Sequence, residues 1–130
     1  INEEQFKKII ETNYLSNFKL IKSFHYLLKN SNNGRLVIVS SNQDNTDQYW
    51  GIYQPIMSAL NELLVTYANE NKKTNIKANI LCPKAVDTNF RDKIMPGENK
   101  SNLLSVNEVA KKILELTSKK FEETGKIINI

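Results

Sequence analysis

Cysteine, histidine and glycine are scarce in this 130-residue chain, and each scarcity removes a class of function. A single cysteine, Cys82, permits neither an intrachain disulfide nor a thiolate-built metal site, as expected for a reducing cytosol. A single histidine, His25, removes a multi-histidine metal centre, so no metal is expected. Gly34, Gly51, Gly97 and Gly125 are the only glycines, and they lie too far apart to form a glycine-rich phosphate loop. No apolar run approaches the ~18 residues that a spanning helix needs, so no membrane partner is expected. The opening residues are polar and acidic, which predicts no signal peptide and a cytoplasmic location.

Asparagine, lysine and isoleucine are abundant instead, with 18, 16 and 14 copies. AT-rich codons favour all three, and the net charge of +4 is read as part of that bias. The lysines fall in scattered pairs with acids nearby, and no aromatic residues interleave a basic stripe. Nucleic acid is therefore not an expected partner. With 40% hydrophobic and 25% charged residues, the composition suits one folded domain or part of one. The chain has no initiator methionine and opens within a helical pattern, which predicts a piece of a longer protein.

Apolar spacing predicts one helix over residues 3–29, with Phe6, Ile10, Asn13, Asn17, Ile21, Phe24 and Leu28 on one face. Asn30 to Gly34 is a break. Leu36-Val37-Ile38-Val39 reads as a strand buried on both faces, followed by a polar loop over 42–49. A second helix is predicted over 50–70, with Pro55 tolerated if it falls in the first turn. A second strand spans 76–81, and residues 84–104 read as irregular, with a turn at Pro96-Gly97. Ser105 and Glu108 form a capping box for a helix to about residue 119, and a third strand spans 126–130. Helix-strand-helix-strand-helix-strand order predicts an α/β fold, a parallel sheet flanked by helices.

Ligands of such sheets bind at the carboxyl ends of the strands. Ser40-Ser41 ends the first strand, Cys82-Pro83 ends the second, and Tyr53 lies on the first turns of the helix between them, so the hydroxyls of Ser40 or Ser41 and of Tyr53 can converge at one sheet edge. The set Asn13, Gly34 to Ser41, Trp50-Gly51-Ile52-Tyr53, Ile76 to Asn79, Pro83 and Val86-Asp87-Thr88 resembles the landmarks of the short-chain dehydrogenase/reductase family. Order and spacing both match. Residues 91–108 resemble one bacterial subgroup. The likeness covers nearly the whole chain but only the C-terminal half of the family's Rossmann-like domain, so residues 1–130 are expected to be a single partial domain.

The resemblance implies NAD or NADP as cofactor, bound with the missing N-terminal half, and a small carbonyl or alcohol substrate. It implies Tyr53 as general acid or base, Ser41 as the substrate-orienting serine with Ser40 as fallback, and Asn13 in a proton relay. Pro83, Val86 and Thr88 would lie at the cofactor, the last two near the nicotinamide carboxamide. It also implies a homodimer or homotetramer through helices 3–29 and 50–70.

Two positions depart from the family pattern. Met57 stands where the family has lysine, four residues after the tyrosine, and supplies neither charge nor donor. Lys84 replaces a glycine after Pro83 and is one candidate for the missing charge. Two readings follow: an oxidoreductase with a degenerate Tyr-x-x-x-Lys motif, or a non-catalytic member serving as a binding or oligomer-forming subunit.

Overall fold

A computed structural model describes residues 2–41 and 50–130; the polar loop read at 42–49 lies outside the described residues. Helix α1 (Glu3–Ile10) starts from a capping box: the Gln5 N–H donates to Asn2 Oδ1 (2.8 Å) and the Asn2 N–H to Gln5 Oε1 (3.2 Å). The helix predicted over 3–29 runs on to Asn30, but not as one regular α-helix. A π turn, Glu11–Leu15, separates α1 from α2 (Ser16–Asn30). The wider turn inserts a residue, and one residue is worth about 100° of helical rotation. Most of the predicted face still turns inward: Ile21 is buried and Ile10, Asn13, Asn17 and Leu28 are half-buried, whereas Phe24, 52% exposed, and Phe6 face outward.

Gly34 precedes the first strand because a Cβ there would collide with the Leu28 carbonyl oxygen. Strand β1 (Arg35–Val39) pairs in parallel with β2 (Lys77–Cys82), and β2 in parallel with β3 (Ile127–Asn129), giving the order β1-β2-β3. Burial on both faces, expected of β1, belongs to β2. Ala78 through Cys82 are almost wholly enclosed, whereas Val39 is 48% exposed because β1 is an edge of the described sheet. Helix α3 (Tyr53–Glu70) packs on β2 and on the π turn, burying Leu60 and Leu64 against Ala78 and Ile80. Pro55 lies in the first turn of α3, where its missing N–H costs nothing.

The stretch read as irregular is more ordered than expected. Thr88 caps a short helix, α4 (Asn89–Ile94), and a 3-10 turn follows at Lys100–Asn102. Arg91 binds Glu98 with two 2.7 Å hydrogen bonds, and Lys100 bridges Asp87 and Asp92. These pairs close turns between residues 7 to 13 positions apart, which hydrophobic periodicity does not register. Helix α5 (Val106–Thr117) begins at the expected box, with the Ser105 N–H donating to Glu108 Oε2 (2.7 Å) and the Glu108 N–H to Ser105 Oγ (3.2 Å). Among the described residues no helix is long and apolar enough to cross a membrane.

Candidate active site

The carboxyl end of β1 is the point from which the site is built. The Ser40 N–H makes the last β1–β2 bond, to the Leu81 carbonyl (2.8 Å), and the chain then leaves the ladder at Ser41. Two amide side chains of α3 meet Ser41 there. Its hydroxyl donates to Gln54 Oε1 (3.3 Å), and its carbonyl accepts from Asn61 Nδ2 (3.3 Å). Ser40, by contrast, is buried, and its hydroxyl has no partner among the described residues.

Tyr53 is the first residue of α3 and neighbours Gln54, so its half-buried ring sits on the same helix turn that meets Ser41. It packs against the core and lies 5.6 Å from the Trp50 ring, centroid to centroid. Burial pushes the Tyr53 phenol above its ordinary value. Met57, one turn further on, is only 4% exposed and belongs to the apolar core. An apolar thioether cannot stabilise a phenolate.

Asn13 lies in the π turn, which packs on α3. Its side-chain amide donates to the Ile9 carbonyl (3.1 Å), and its own carbonyl accepts from Asn17 Nδ2 (2.8 Å). Such single π turns frequently mark functional sites.

Pro83 to Thr88 follow the carboxyl end of β2. The Lys84 N–H donates to the Ile130 carbonyl (2.8 Å), while its side chain is exposed. Val86 forms a parallel bridge with Leu104, and the Asp87 N–H donates to the Leu104 carbonyl (2.9 Å). Thr88 Oγ1 accepts from the Arg91 N–H (3.1 Å), which leaves its hydroxyl proton as a donor.

The structure thus brings Ser41 onto the α3 turn that carries Tyr53, sets Asn13 in a turn packed on the same helix, and places 83–88 beyond β2. Gln54 and Asn61 are additions that sequence reasoning missed. Asn61 had a signal: it falls four residues after Met57 and eight after Tyr53, a polar residue on an apolar helix face.

Comparison with known proteins agrees with this architecture. The family model for short chain dehydrogenase matches residues 1–99. Two tropinone reductase homologues from Arabidopsis thaliana are similar. One is 38% identical over 65% of this chain and 32% of its own length, the other 33% identical over 88% and 40%. The chain thus spans about a third to two fifths of the curated relatives it matches. A short chain dehydrogenase from Salmonella enterica serovar Typhi superposes with a TM-score of 0.90 at 22% identity, over 98% of this chain and 54% of that one. Two more chains share the fold: 4-hydroxyisoleucine dehydrogenase complexed with NADH (TM-score 0.83, 22% identity, 99% and 59% covered) and ElxO with NADP bound (0.87, 23%, 100% and 58%). With 99 matched residues out of 130 and this sheet and helix arrangement, the chain belongs to the short-chain dehydrogenase family.

Proposed function

We propose that this chain is part of an NAD- or NADP-dependent oxidoreductase that interconverts a small carbonyl and its alcohol. The observation that carries the proposal is the attachment of Ser41 to the α3 turn that begins with Tyr53. Bound cofactors in two proteins of the same fold support the choice of a nicotinamide. The nicotinamide supplies or receives hydride when bound. Backbone and hydroxyl groups at Val86 and Thr88 suit its carboxamide, at a strand's carboxyl end. Tyr53 gives its phenolic proton to the nascent alkoxide in reduction and takes it back in oxidation. Ser41 orients the substrate oxygen by turning its one hydroxyl proton from Gln54 Oε1 to the substrate; Ser40 is too enclosed for that role. Asn13 serves the proton path from its π turn. Pro83 shapes the cofactor side, and the cofactor's phosphates are held by a part of the protein outside these 130 residues.

Met57 limits this chemistry. Without a neighbouring cation, a phenol raised by burial is a weak base near neutrality. Met57→Lys should raise NAD(P)-linked turnover of the full-length protein on carbonyls and alcohols by about 10²–10⁴-fold, the usual worth of a positioned acid or base. Adding Tyr53→Phe should abolish the gain. A gain that survives in the double variant would exclude Tyr53 from the reaction.

The second reading is a non-catalytic subunit that binds or assembles. The core placement of Met57 favours it, since a buried thioether is a packing residue. Absence of turnover in wild type and in a Met57→Lys variant shown by its melt to be folded, with cofactor bound, would favour it. In either reading, assembly is proposed to run through helices 3–29 and 50–70 as a homodimer or homotetramer, because Phe18, Leu20 and Phe24 leave apolar surface on α2.

A further inference from the structure

Asn61 is a buried amide in the middle of an apolar helix face, 0% exposed, between Met57 and Leu64. Its Nδ2 donates to the Ser41 carbonyl, and its Oδ1 has no hydrogen-bond partner among the described residues. A leucine there would fill the same space without burying an unpaired acceptor, so packing alone does not explain an asparagine. The bond joins the two elements whose relative placement matters, since Ser41 lies just beyond the last β1–β2 ladder bond and α3 carries Tyr53.

We propose that Asn61 is a positioning residue: it clamps the Ser41 end of β1 to α3 and so sets the distance between the Ser41 and Tyr53 hydroxyls. The inference deepens the oxidoreductase reading and rests on it for its effect on turnover; the clamp itself does not.

The test compares Asn61→Leu and Asn61→Gln with wild type in the full-length protein. Amide hydrogen exchange is followed at Ser40, whose N–H closes the last ladder bond to Leu81, and at Ile80, whose N–H bonds the Lys126 carbonyl in the sheet interior. In Asn61→Leu, Ser40 should exchange about tenfold faster, the scale of one lost hydrogen bond, while Ile80 and the melting temperature stay unchanged. Asn61→Gln retains the donor and should recover part of the protection. Unchanged exchange at Ser40, or equal acceleration at Ser40 and Ile80, overturns the clamp. Turnover is read on the same samples: Asn61→Leu should lower kcat roughly tenfold with little change in KM for the cofactor, because orientation rather than binding is lost. A fall in cofactor affinity with kcat intact overturns the positioning role. Absence of turnover in wild type and in Met57→Lys alike removes the oxidoreductase reading, while the Ser40 exchange still decides the clamp.

Discussion

Cys82 ends the buried run of β2, and burial pushes its thiol up to about 11 from an ordinary 9.0. The folded protein therefore holds this proton more tightly than the unfolded chain does. The resulting stability is fully present below about pH 9 and is lost as pH rises through about 11. A shift of about two pKa units corresponds to roughly 2–3 kcal/mol. Tyr53 and Tyr67 shift in the same direction for the same reason and add to the alkaline loss. Denaturant unfolding of wild type and Cys82→Ala from about pH 8 to 11 should show the wild type losing about 2–3 kcal/mol more than the variant. Parallel losses would mean that the thiol titrates normally. At this scale the sequence announced Ser41 and Tyr53 through their match to the family landmarks, and Met57 through its departure from them. It did not announce the Gln54 and Asn61 bonds to Ser41, which depend on where the end of β1 meets α3.

The π turn at Glu11–Leu15 is the element that departs most from its periodicity. Spacings of three and four fit a continuous helix, and nothing in the apolar pattern marks an inserted residue. The asparagines do leave a trace. Asn13 and Asn17 were two polar residues in an apolar seam, and both bond carbonyls one turn back. Asparagine is a weaker helix former than alanine by roughly 0.5 kcal/mol, so Asn13→Ala should leave the fold as stable or slightly more so. If Asn13 serves the proton path, turnover should fall by about 10²-fold in the same variant. Thermal melts and steady-state kinetics on one preparation separate the two effects. A drop in stability without loss of turnover would make Asn13 purely structural. Pro55 is the opposite case, legible from the sequence because the first turn of a helix forgives a missing donor wherever it occurs.

Across the whole molecule, apolar surface gathers on α2 and the outer edge of β1. Leu20, Phe24 and Leu27 line a groove of about 660 Å³ with Leu36, Val37 and Val39. Phe24 is 52% exposed in these 130 residues, so replacing it disturbs little of the packing among them. Phe24→Asp should keep the melting temperature of the full-length protein near wild type, within the roughly ±0.5 kcal/mol usual for surface changes. It should also shift the sedimentation coefficient toward the monomer. A folded variant that retains the wild-type assembly would exclude α2 from the interface. Leu63, packed against the core, is the poorer probe, since a charge there threatens the fold itself.

Element order, the parallel sheet and the family landmarks were all legible in the amino-acid sequence. Each is written in local signals: β-branched runs, the Ser105–Glu108 box, breaks at Gly34 and Gly125, and the spacing from Ser41 to Tyr53. Only the tertiary structure decided which strand is enclosed. The 36–39 run of β1 is wholly apolar and that of β2 is interrupted by Asn79, yet β2 is the more enclosed, so burial follows position in the sheet rather than composition. It also decided that the Asp87–Lys100 and Arg91–Glu98 pairs order a segment without periodicity, and that Asn61 reaches Ser41 across twenty residues of chain. Such contacts join residues whose separation in sequence carries no period. They exist only once β1, α3 and the chain beyond β2 have packed together.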